Sequence, residues 1–96
     1  MTRRQFQLSD ADLHAHLKKR MAQRGVTLAE IEQVLNSGQT AASAKAGTLG
    51  KVLAVPFEAE WEGQFYEQKE ITVYYKLIDE GQLILLTILA RYGQVF

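Results

Sequence analysis

His16, Arg20 and Arg24 are spaced four and four. On a helix that spacing stacks three side chains along one side, next to the apolar stripe formed by Leu13, Leu17 and Met21. Three positive or chargeable groups in a row repel one another, so the pattern asks for an anion, either a carboxylate from elsewhere in the chain or a bound phosphate. The plainer reading pairs Arg20 and Arg24 with strand glutamates and leaves His16 as a partly buried surface residue. A second group, Lys69, Arg91 and Tyr92, sits at the outer ends of two strand-like runs joined by Asp79-Glu80-Gly81, with Thr72 and Thr87 further in. Ammonium and guanidinium groups meeting at one spot suit the charge that builds on a phosphodiester in its transition state. Tyr92 or His16 would then give or take the proton. The plainer reading here is a cross-strand Glu70–Arg91 salt bridge with Tyr92 capping the core.

Other chemistries find little support. The chain has no cysteine, which removes disulfides, thiol nucleophiles and Cys-based zinc sites. Gly47-Thr48-Leu49-Gly50-Lys51 lacks the spacing and the following Ser/Thr helix of a phosphate loop. His14 and His16, two apart on one helix, would point about 200° apart by helical geometry and make no metal pair. Glu58, Glu60 and Glu62 alternate as a solvated strand face does. Trp61, Phe65 and Tyr66 could stack on a base or cover a core edge. No metal and no cofactor is expected.

The elements that must position these residues are legible in outline. Ser9-Asp10-Ala11-Asp12 reads as a helix start, and Gly25 as its stop. Thr27-Leu28-Ala29-Glu30 is a capping box, with Val26 and Ile31 as its hydrophobic staple, and Asn36-Ser37-Gly38 closes the second helix. Gln39 to Gly50 is small and polar, a weak edge strand or a loop. Strands follow over Lys51 to Glu60, where Pro56 requires an edge or a bulge, over Lys69 to Ile78, and over Gln82 to Tyr92. Ile71, Val73, Tyr75 and Leu77 alternate with Thr72, Tyr74 and Lys76. Leu83 to Ala90 shows no alternation, so the last strand is expected to be central or covered on both faces, with Leu83, Leu85 and Leu89 or their neighbours on the face away from the helices. The fold expected is α+β: a single domain over 1–96, with a helical hairpin over 9–37 packed on a three- to four-stranded antiparallel sheet over 39–93.

Bulk properties set the limits. Ninety-six residues, 47% hydrophobic and 23% charged, suit one core. No apolar run is long enough to span a membrane and the N-terminus lacks a signal-peptide core, so a cytoplasmic location without membrane partners is expected. The net charge of zero conceals a basic first half, with seven Lys/Arg against four acids, and an acidic second half with the reverse. Any anion site must therefore be local.

The run His16 to Thr27, HLKKRMAQRGVT, resembles the H-x-x-x-R-M-x-x-R-G-[IV]-[ST] opening of the domain-of-unknown-function family 4258. ITVYYK over 71–76 with LTILARYG over 86–93 looks like the strand pair that ends part of that family. The likeness spans residues 12 to 94. That family is similar in layout to the RelE-like and barnase-like RNase toxins. The resemblance implies a metal-independent endoribonuclease in which the ribose 2′-OH attacks the adjacent phosphate, the toxin of a toxin–antitoxin or contact-toxin pair. RNA and a cognate antitoxin or immunity protein would be its partners. His16, Lys69, Arg91 and Tyr92 would be catalytic, and Arg20, Arg24, Thr72 and Thr87 would bind substrate. The competing expectation is a non-catalytic interaction module on the same scaffold, docking a partner or forming a homodimer through the apolar last strand.

Overall fold

A helix needs its first backbone donors satisfied, and two side chains near the start of the chain do this in different ways. The computed structural model describes residues 6–42, 45–78 and 82–94. Ser9 opens only a single 3-10 turn, Asp10–Asp12. The chain then extends again, and the first α-helix, α1, covers Ala15–Arg24 with His14 as its N-cap. The expected continuous helix from Ser9 is thus broken, because His14 in extended backbone accepts the Leu17 N–H on Nδ1 at 3.2 Å. The second helix, α2, covers Leu28–Ser37 behind the expected capping box, with Thr27 Oγ1 accepting from Glu30 N and Glu30 Oε1 from Thr27 N. Gly25, at φ 68°, closes α1 in the left-handed conformation that glycine adopts without strain.

Four strands follow: β1 Gln39–Thr40, β2 Leu49–Trp61, β3 Gln64–Ile78 and β4 Gln82–Gly93. All neighbours pair antiparallel in the order β1-β2-β3-β4. The architecture is the expected α+β one, two helices on a four-stranded antiparallel sheet. Glu62-Gly63, both at positive φ, link β2 to β3 as a two-residue hairpin loop whose backbone twist matches the strands. The turn expected at residues 79–81 lies outside the described residues.

The core lies between the helices and one face of the sheet. Leu17, Ile31, Val34, Ile71, Val73 and Ile88 are fully enclosed, with Leu35, Val55, Tyr75 and Leu85 around them. Burying each large aliphatic side chain contributes about 1.5–3 kcal/mol. Burial alone pushes the Tyr75 hydroxyl up from the ordinary tyrosine range. The opposite face, bearing Ala54, Glu70, Thr72, Tyr74, Thr87, Leu89 and Arg91, has no helix on it among the described residues.

Three expectations for the strands are corrected. β4 is an edge strand rather than a central one. Its continuous apolarity has a different origin: α1 covers one face, and the other face shares a hollow of about 330 Å³ with Lys45, Thr48 and Tyr74. A bulge at Leu86, between the pairs Tyr74↔Thr87 and Tyr75↔Leu85, switches the phase of β4. Leu83 and Leu85 therefore pack toward the helices, and Leu89 is on the open face at 43% exposure. Leu77, expected in the core, is also exposed.

The two long strands differ at their outer sides. β1 pairs only with Lys51 and Val52, and beyond it β2 carries Pro56, a register shift between Pro56 and Ala59, and the exposed Glu58 and Glu60. From Thr87 to Gly93, β4 has no proline and one charge, Arg91.

Candidate functional site

The register of the last hairpin decides what the expected site residues can do together. Lys69 lies opposite Tyr92, and Glu70 opposite Arg91. Neighbours along a strand point to opposite faces, so Lys69 and Tyr92 face the helices while Arg91 faces away. The expected convergence of Lys69 and Arg91 on one phosphate does not occur.

Lys69 is only 3% exposed. Its Nζ donates to Gly25 O at 2.8 Å and to Glu30 Oε1 at 2.9 Å, and lies 2.7 Å from Oε2. The ammonium thus sits at the negative end of α1, against the carboxylate that also caps α2. It lies 5.0 Å from the Phe57 ring centroid and 5.9 Å from that of Tyr92. Tyr92 donates its hydroxyl to Arg24 O and stacks on Trp61, with centroids 5.0 Å apart and planes at 11°. Phe57 and Tyr66 close the cluster. Burial first, then the carboxylates of Glu30 and Glu62, push the Tyr92 hydroxyl up from 10.0 to about 12. A tyrosine so held is a poor proton donor near neutrality. The cluster fastens the turn between the helices to the end of the sheet, and a Cβ on Gly25 would lie 2.6 Å from the Trp61 ring.

Arg91 is paired with Glu70 across the strands, at 2.8 Å from Nε and 2.7 Å from an Nη nitrogen, on the open face with Thr72 and Thr87. His16 is exposed on α1, and with Lys19, Arg20 and Gln23 it lines a hollow of about 170 Å³. Arg24 is half-buried, with a buried Nε that has no hydrogen-bond partner among the described residues. The eight expected residues therefore divide among three surfaces: His16 and Arg20 on α1, Lys69, Tyr92 and Arg24 at the helix turn, and Thr72, Thr87 and Arg91 on the open sheet face.

The sequence held a signal for the buried lysine. Lys69 is in phase with Ile71, Val73 and Tyr75, and Glu30 of the capping box supplies its partner. Trp61, Phe57 and Tyr66 reach the cluster only through the β2 bulge and the hairpin register, which spacing does not show. His14 was likewise unforeseen in its role. With Nδ1 accepting from Leu17 N, its Nε2 carries the proton and donates to Leu85 O at 3.0 Å. Because His14 precedes the helix, its ring stacks on His16 at 6.0 Å rather than pointing away. Among the described residues no group of three or more His, Cys, Asp or Glu could hold a metal.

His14 also reveals the state of the β4 edge. Chirality ties face to side: β4 residues whose side chains face the helices turn their N–H and C=O away from β3. Leu85 is one, and its carbonyl goes to His14. Ile88, Ala90 and Tyr92 are the others beyond the bulge, and among the described residues no strand pairs with them on that side.

These features define a two-layer α+β domain with a locked helix turn and, among the described residues, a β4 edge that no strand covers. Comparisons with protein-family models, curated proteins and solved structures give no match. No described helix is long and apolar enough to cross a membrane.

Proposed function

We propose that this domain is a non-catalytic protein-interaction module that takes up a partner strand along β4. The observation that carries the reading is the edge itself: Ile88, Ala90 and Tyr92 offer backbone groups that no strand pairs with among the described residues, beside an apolar surface and without the proline or lysines that usually blunt such edges. The division of the expected catalytic groups supports it further. A nuclease of the expected kind needs His16, Lys69, Arg91 and Tyr92 around one phosphate, and two of these are engaged in holding the fold.

The test is crosslinking in cells with a photo-reactive residue replacing Leu89, against a control replacing the exposed Gln33 on α2. A discrete adduct from position 89, lost on Ala90→Pro, is expected, and RNA incubated with the purified protein in EDTA stays intact. RNA fragments with 2′,3′-cyclic phosphate ends, lost on Arg91→Ala, would overturn the reading in favour of the endoribonuclease.

A further inference from the structure

The bare edge does not stand alone. α1 lies over β4, while α2 lies over β2 and β3. α1 runs in the same direction as β4, since His14 meets Leu85 at one end and Arg24 meets Tyr92 at the other. With Leu17 facing the sheet, the right-handed sense of the helix sends positions 16, 19, 20 and 23 to the side of the β4 edge, and 18 and 22 toward α2. The flank that overhangs the edge is therefore His16, Lys19, Arg20 and Gln23, the residues that share one hollow. Lys18, on the other side, is paired with Asp10 at 3.1 Å. Among the described residues no carboxylate pairs with Lys19, Arg20 or His16.

Taking the β4 edge as the binding surface, as the proposed function does, we infer that its occupant is an extended acidic segment of another protein, with carboxylates at alternate positions reaching up to Lys19, Arg20 and His16. The spacing fits. Side chains two apart on a strand are about 6.8 Å apart along it, and residues four apart on a helix, such as His16 and Arg20, rise about 6 Å. Alternate residues of the added strand face α1, and those between lie on the open face beside Leu89. The same geometry disfavours a second copy of this chain. Antiparallel β4–β4 pairing about a twofold axis puts both helix layers on one side, so the basic flanks of two α1 helices would meet without an intervening anion. A nucleic acid could use the positive flank but not the strand edge.

The test uses the whole chain and a labelled nine-residue peptide of alternating Glu and Val, with Lys/Val and Gln/Val versions as controls. Fluorescence anisotropy should show the Glu/Val peptide binding at least tenfold tighter than either control, and more weakly as salt rises. Amide exchange should slow at Ile88, Ala90 and Tyr92. Lys19→Glu with Arg20→Glu, at one exposed and one partly exposed position of α1, should invert the preference toward the Lys/Val peptide. Ala90→Pro, which removes an outward N–H and no bond to β3, should abolish binding, while circular dichroism and the urea midpoint confirm that the variant is folded. Equal binding of all three peptides, lost on Ala90→Pro, overturns the acidic occupant and leaves the edge reading intact. No binding by any peptide at millimolar concentration, with no amide protection, overturns both. Concentration-dependent dimerisation that protects the same amides, or RNA binding that survives Ala90→Pro, also overturns the acidic strand.

Discussion

Lys69 and Arg91 occupy neighbouring rungs of the same strand pair, and the molecule treats them in opposite ways. Lys69, facing the helices, is enclosed, with Glu30, a helix-terminal carbonyl and two aromatic rings around it. Arg91, facing outward, is 68% exposed and reaches Glu70 across one rung. Two cations at the end of a hairpin look equivalent in a sequence, yet the pleat makes one a fastening of the fold and the other a surface group. What separates them is the phase of a strand rather than its composition.

The largest effects should fall on the enclosed side. Lys69→Ala leaves the Gly25 carbonyl and the half-buried Glu30 carboxylate without their cation, and chemical denaturation should show a loss of about 3–5 kcal/mol. A loss under about 1 kcal/mol would erase the contrast with Arg91. Gly25→Ala forces a side chain into a left-handed position against Trp61 and Tyr92, and should cost about 2–4 kcal/mol in the same assay.

Tyr92→Phe removes only the hydroxyl given to Arg24, about 1 kcal/mol. It should also change the alkaline limb of stability. Folding raises the Tyr92 hydroxyl to about 12, so its contribution is complete below pH 10 and disappears as pH rises through 12. Denaturation midpoints between pH 10 and 12 should fall less steeply in the phenylalanine variant than in the parent. The smallest effect belongs to Arg91→Ala, at most about 1 kcal/mol and weaker in high salt.

The helical half was the more readable one, because its signals are local. The Thr27–Glu30 capping box and the Gly25 stop each span four residues or fewer and stand where the sequence put them. The site was less readable because its geometry depends on pairings between distant residues. One inserted residue, Leu86, puts Leu83 and Leu85 on the helix side while Leu89 keeps its expected place on the open face, and the sheet order makes an apolar strand an edge. Nothing within Leu83 to Ala90 distinguishes burial under a helix on one face and a shallow hollow on the other from burial in the centre of a sheet. His14 starts the first helix later than expected for a similar reason: the acceptor for its Nε2, Leu85 O, is 71 residues away.

The unequal edges bear on how many molecules can join. β2 carries Pro56, an irregular register and exposed glutamates on its far side, whereas β4 from Thr87 onward has no strand beside it but β3 among the described residues. On the proposed reading, β4 is the one socket among the described residues and has no matching plug there, so a guest strand would end the assembly at a one-to-one stoichiometry instead of seeding a fibre.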